Sequence, residues 1–270
     1  MTLLLDPLAL TQSLLGAALL VTSSAVALSA SRVRPLAPRW AFPAVLASTA
    51  ANAVTPAGLG GSALMVRLHA RSGLTTDEAV AAVTVRALAS GVAGLLVAVL
   101  ATSFGLDGPS LPGGAAAALI LTALVLATTA VLLACPDRRS RMLGHVRSTG
   151  IAVSRVLARP GRAAGLLLGA LGVVAAQLLI LDGAVRAVGG QVGLSALLVT
   201  LLGSSAARAA VPSPGGVGPV EAALVGGLAA LGVPVGAAAV AVAVYRTAGL
   251  WLPVLAGAFA LRWLRRRALL

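Results

Sequence analysis

A chain of 270 residues that is 59% hydrophobic and only 10% charged cannot be wetted over its whole surface, because a soluble domain carries about 25% charged residues. With a mean hydropathy of +1.02 and several charge-poor runs of about 20 residues, each able to cross a bilayer as a helix, it reads as a polytopic membrane protein. The net charge of +13 does not point to nucleic acid: the 20 basic residues, all Arg, sit between apolar runs, and three Trp, three Phe and one Tyr leave few rings to stack on bases. Basic residues in such loops report topology instead.

The first expected span is residues 8–30, "LALTQSLLGAALLVTSSAVALSA". A cleaved signal peptide is the rival reading, but the segment ahead holds Asp6 and no positive charge, which favours an uncleaved helix. "SRVRPLAPR" follows. Residues 40–54 are apolar but short, about 22 Å as a helix against a hydrocarbon core of about 30 Å. The break "TPAGLGG" at 55–61 then leads into a second short helix, about 59–70, ending in a basic patch of Arg67, His69 and Arg71.

Thr75 or Thr76 is placed to cap the next helix, with Asp77 and Glu78 favourable in its first turn; this span runs to about residue 101. The loop 102–114 contains Asp107 and no Arg, residues 115–134 span again, and 135–162 carry seven Arg against one Asp. The centre of that basic stretch reads as an amphipathic helix at the headgroups. Residues 163–181 span, 182–192 form a nearly neutral turn, 193–211 approach a second break, "SPGGVG" at 213–218, and a short helix covers about 217–230. Residues 235–260 span to the terminal "RWLRRR".

Arg-rich segments at 31–39, at about 136–162 and at the C-terminus are expected in the cytoplasm, and 102–114 and 182–192 outside. Under those assignments 40–70 enters and leaves by one face, and 193–231 by the other. The expected architecture is an all-α, polytopic membrane helix bundle, one domain over 1–270, with five full spans and two re-entrant broken-helix hairpins. The hairpins belong to two inverted repeats, at about 40–101 and 193–260. In that alignment "TPAGLG" falls on "SPGGVG", Gly73-Leu74 on Gly232-Val233, and "AVAAVTVRA" on "AVAVAVYRT".

Broken backbone inside hydrocarbon is tolerated where it is buried in protein or lines a polar cavity, and broken helices in inverted repeats mark transporter sites. Gly58, Gly60 and Gly61, after Pro56, and Gly215, Gly216 and Gly218, after Pro214, open short helices. Their first amide groups lack intrahelical partners and so offer donors to phosphate or carboxylate. Tight packing turns remain the alternative. Arg86 and Arg246 lie well inside spans, with Glu221 just after the second tip and Arg208 near it. Such charges need partners or a watery cavity: either a structural pair of Glu221 with Arg246 or Arg86, or a basic cavity for an anionic head group. Asn52 and Tyr245 are expected to line it. Cys135 stands alone, and His69 and His145 read as interfacial side chains. There is no Ser-His-Asp or Cys-His grouping, paired acid or metal cluster, so neither enzymatic activity nor a metal or other cofactor is expected.

The stretches "NAVTPAGLGGSALMVRLHARSGL", "PSPGGVGPVEAALVGGLAALGVP" and "YRTAGLWLPVLAG" resemble the transmembrane family of lysylphosphatidylglycerol synthases, the flippase-like proteins, over roughly residues 8–267. The resemblance implies a multi-pass protein of the plasma membrane that moves an aminoacylated or otherwise modified phospholipid between leaflets. By position, its motif residues here are Asn52, Pro56, Gly58, Arg67, Pro214, Gly216, Gly218, Glu221, Arg246 and Pro253. Family proteins are usually longer, with another N-terminal span. Their first tip often carries an acidic residue where this chain has Ser62. With no aminoacyl-transferase domain after "RRRALL", any lipid-modifying chemistry is expected from a separate enzyme. The other functional readings are a small-solute transporter with the same repeat-interface site and a non-catalytic membrane assembly partner.

Overall fold

The computed structural model describes residues 6–31, 37–55, 59–103, 136–211 and 213–267, and among them the fold is all-helical. In chain order the helices are α1 (Pro7–Ala30), α2 (Pro38–Val54), α3 (Leu59–Arg71), α4 (Thr76–Ser103), α5 (Pro136–Leu157), α6 (Pro160–Ala187), α7 (Leu194–Ala210), α8 (Pro219–Ala230) and α9 (Val235–Arg266). Four of these, α1, α4, α6 and α9, are long and apolar enough to cross a membrane. The span expected at 115–134 and Cys135 lie outside the described residues.

Local chemistry accounts for several helix ends. Asp6 caps α1 by accepting from the Leu8 amide at 2.9 Å, with Pro7 filling the first helical position. Ahead of α4, Thr75 is the capping residue: its hydroxyl accepts from the Glu78 amide (3.3 Å) while the Glu78 carboxylate accepts from the Thr75 amide (3.1 Å), a reciprocal capping box. α3 and α8 close with one geometry. Gly73 and Gly232 both have φ +88°; their amides donate to Ala70 and Ala229, and the next amides, of Leu74 and Val233, reach back to His69 and Leu228. Only glycine enters that left-handed conformation without strain.

Two expectations are corrected here. The neutral turn expected from residue 182 is helical as far as Ala187. Asp182 and Arg186 pair one turn apart at 2.8 Å, and Gln12 of α1 donates to the same carboxylate at 2.7 Å, so the helix satisfies its charges without ending. His69, expected at an interface, is fully buried on the face of α3 that carries Met65 and Leu68. In α9, Pro253 has no amide and its ring crowds the carbonyl four residues back. The helix responds with a π-helical turn over Thr247–Trp251, directly after Arg246.

One apolar core joins α6–α9 around Leu181, Leu197, Leu224 and Leu228, and a second joins α1–α3 around Leu28, Val45 and Leu68. The halves are locked chiefly by α1 lying along α6, with glycines at the crossing. α2 lies along the distal part of α9, where Gly257 meets the Leu46 carbonyl, and α4 touches α7.

Candidate functional site

The two proline-glycine breaks meet. Asn52, in the last turn of α2, joins them: its side-chain oxygen accepts the Gly61 amide at 2.7 Å, and its carbonyl accepts the Gly215 amide at 3.1 Å. Thr55 ends α2 and holds the first break from the other side. Its hydroxyl donates to Ala51 and accepts the Gly60 amide, both at 2.8 Å. Gly215 sits so close to Ala53 that a Cβ there would lie 3.4 Å from the Ala53 Cα.

The second break turns through positive φ at Gly215 (+62°), Gly216 (+69°) and Gly218 (+95°). Glu221 braces it with both oxygens, one accepting the Gly218 amide at 2.7 Å and the other the Arg246 Nε at 2.6 Å. Arg246 also donates from Nη2 to the Gly215 carbonyl at 2.9 Å, and its side chain is only 5% exposed. Of the two pairings open to Glu221, the structure thus selects Arg246, which reaches from α9 to hold the tip.

This arrangement corrects the expected donor set. The glycine amides are already engaged: Gly60 with Thr55, Gly61 and Gly215 with Asn52, Gly216 with Ser213, and Gly218 with Glu221. An anion would have to displace a protein acceptor to reach any of them. The physical reason is that buried amides need partners whether or not a ligand is bound, and the side chains at the end of α2 supply them.

A different donor remains. Arg208, in the last turn of α7, lies against the second tip, its Nε 3.0 Å from where a Cβ on Gly216 would sit. It shares an electrostatic neighbourhood with Arg246, Tyr245 and Glu221. Among the described residues no carboxylate pairs with it. Arg208 and Arg246 against Glu221 leave one uncompensated positive charge beside the junction. Arg208 and Thr55 are the residues that sequence reasoning underused. The signals were an Arg in the last turn before "VPSPGG" and a Thr directly before the Pro of the first break.

The remaining expected residues are distributed as follows. Tyr245 is half-buried beside Arg246 and packs on the α6–α9 core. Pro214 opens the second turn, its carbonyl accepting from Val217. Pro56 and Gly58 lie outside the described residues. Arg67 is exposed, eight residues along α3 from Leu59, about 12 Å by helical rise, and does not join the cluster. Arg86 is half-buried in α4 with no carboxylate partner among the described residues.

Asn52→Ala should remove the cap on Gly61 and destabilise the protein by about 1 kcal/mol, while its carbonyl still holds Gly215. Hydrogen exchange should speed up at the Gly61 amide and change less at the Gly60 amide, which Thr55 holds. Asn52→Asp, which keeps the acceptor, should exchange as the parent does.

None of the curated proteins matches this chain. The family model for the lysylphosphatidylglycerol synthase TM region matches residues 4–257 of the 270. With all but the extremities matched, the chain belongs to the lysylphosphatidylglycerol synthase transmembrane-region family.

Proposed function

We propose that this integral membrane protein is a lipid translocase of the plasma membrane with its C-terminus in the cytoplasm. It moves a phospholipid or modified anionic lipid between leaflets and does no covalent chemistry itself; any modification of the lipid falls to a separate enzyme. Part of this reading is a pair of inverted repeats, expected at about 40–101 and 193–260 and extended in it to α1–α4 and α6–α9. Their helices match in order and length, 24, 17, 13 and 28 residues against 28, 17, 12 and 32. α3 and α8 share one closing cap, and Arg86 and Arg246 occupy corresponding places. The short helices, about 25 and 20 Å long, fall below the roughly 30 Å of hydrocarbon, so each hairpin is read as re-entrant.

The observation that carries the proposal is the junction itself. The Gly215 amide bonds to the Asn52 carbonyl at 3.1 Å, with uncompensated Arg208 against the tip. A guanidinium offers five donors in a planar fork suited to phosphate, so Arg208 would hold the head group while the acyl chains stay in lipid. Arg246 is already committed to Glu221 and serves as the brace of the tip. Arg86, the proposed counterpart in the first repeat, has no carboxylate partner among the described residues and would extend the positive path.

Transbilayer movement of a fluorescent phosphatidylglycerol in proteoliposomes tests this. Arg208→Gln is expected to slow movement at least about tenfold, since a charge-assisted bond contributes about 1.5–3 kcal/mol. Gly216→Val, which adds bulk at φ +69° against Arg208, should do the same. Rates equal to protein-free vesicles would refute the reading. Uptake of a water-soluble anion without lipid movement would assign the same site to small-solute transport.

A further inference from the structure

Away from the junction, the start of α2 and the end of α9 enclose a groove of about 590 Å³. Trp40 and Trp263 meet there with ring centroids 5.1 Å apart. Arg39 lies over the Trp40 ring at 5.6 Å and Arg267 over the Trp263 ring at 5.8 Å. The walls beyond carry Phe42 and Phe259, the latter 71% exposed.

Charge decides what this groove can hold. Its two walls come from stretches without a single acid: no Asp or Glu occurs between Asp6 and Asp77, and none after Glu221. Two guanidinium groups therefore border one groove with no carboxylate against them among the described residues. Stacking on an indole uses the face of a guanidinium and leaves its in-plane N–H groups free, the geometry that binds phosphate oxygens in pairs.

Depth identifies the source of that phosphate. α9 has 32 residues, about 48 Å of helix against roughly 30 Å of hydrocarbon. Its last turns, with Trp263 and Arg267, therefore reach the headgroup layer, where Trp and Arg anchor helices. Phe42 and Phe259 lie further toward the apolar part of the same helices. A bare anion would have no use for those rings; an acyl chain would.

We propose that this groove is a second lipid site, distinct from the transport junction. It would bind an anionic phospholipid with its phosphate on Arg39 and Arg267 and one acyl chain along Phe42 and Phe259. The lipid would stay bound as a peripheral ligand, tying the first hairpin to the last helix.

Two of the three tryptophans lie in the groove, so their fluorescence reads it directly. In a Trp251→Phe background, vesicles carry either dibrominated phosphatidylglycerol or dibrominated phosphatidylcholine at equal mole fraction. Quenching by the anionic lipid should exceed that by the zwitterionic one at least about fivefold, the effect of one basic residue near a charged headgroup. Arg39→Gln with Arg267→Gln should bring the ratio close to one. Arg265→Gln with Arg266→Gln, of equal charge change but outside the groove, should preserve it. Equal quenching in the unmutated groove would overturn the proposal, and needs no arginine variant to fold. So would equal loss in both arginine pairs, which assigns the preference to general surface charge, or relief of quenching by millimolar inorganic phosphate, which assigns the groove to a soluble anion. Lipid movement depends on Arg208, so the two readings fail separately.

Discussion

Glu221→Leu should destabilise the protein by about 3 kcal/mol, and adding Arg246→Met should restore most of it. Removing one partner of a buried ion pair leaves the other charge uncompensated, which costs about 3–5 kcal/mol, whereas an apolar pair of similar volume is often neutral or better. Arg246 is 5% exposed and Glu221 31%, so the lower end of that range applies. Glu221→Leu also strips the acceptor from the Gly218 amide. Glu221→Gln, which keeps an acceptor for that amide, should fall between Glu221→Leu and the parent. The double variant cannot recover fully, because Arg246 also donates to the Gly215 carbonyl and Met returns nothing to it. Unfolding by SDS titration in mixed micelles measures these three variants and Arg246→Met alone, which completes the cycle. Additive losses in the double variant would show that the pair contributes no coupling.

In the proposed inverted repeats, the second half of that brace is also what the first copy lacks. Arg86 corresponds to Arg246, but at the matching tip the chain reads "GLGGSAL", with no acid to hold the arginine. Among the described residues, the same helix order thus yields one tip held from the distal helix and one held by Asn52 and Thr55 of its own hairpin. In the proposed repeats, unequal bracing gives unequal freedom to move. In the proposed transport cycle the first hairpin is accordingly the moving element and the second the fixed frame.

Much of this was legible from residues alone. Pro and Gly punctuate the chain so strongly that both breaks follow from backbone chemistry, as does a threonine cap at position 75 or 76. The Glu221–Arg246 pair was one of two candidates, because residues on separate helices have no register until the helices pack. The fate of the glycine amides was hidden for a related reason. Asn52 reaches Gly61 across nine positions that include the break, and no periodicity describes that path. The end of α6 was misread although its signal was local: Asp182 and Arg186 stand at i and i+4, which supports a helix. Nothing in the sequence joined α1 to α6, whose contact residues are more than 130 positions apart.

That hidden contact sets the last expectation: Gly169→Val should destabilise the protein by about 2–3 kcal/mol, the range for overpacking a filled interior. A Cβ on Gly169 would lie 2.6 Å from the Ala27 nitrogen and 2.9 Å from its Cα. Those atoms are backbone and cannot rotate away, so the helices must separate. The neighbours are as tight: a Cβ on Gly183 would lie 2.6 Å from the Ser13 hydroxyl and one on Gly16 2.7 Å from the Ile180 side chain, and one on Gly172 would run into Ser23. Lipid tails are as apolar as leucine, so close packing of small residues, rather than hydrophobicity, holds membrane helices together. Separation at one glycine therefore forfeits contacts along the whole seam. It follows that Gly169→Ala and Gly172→Ala, one turn apart, should be less than additive when combined, since the first has already opened the gap the second requires. Gly161, at the start of the same helix with nothing within 4 Å of its Cβ position, is the matched control, and Gly161→Ala should leave stability within about 0.5 kcal/mol of the parent. SDS-titrated unfolding of the five variants decides it: full additivity, or a Gly161→Ala loss as large as that of Gly169→Ala, would mean that this seam is not what holds the halves together.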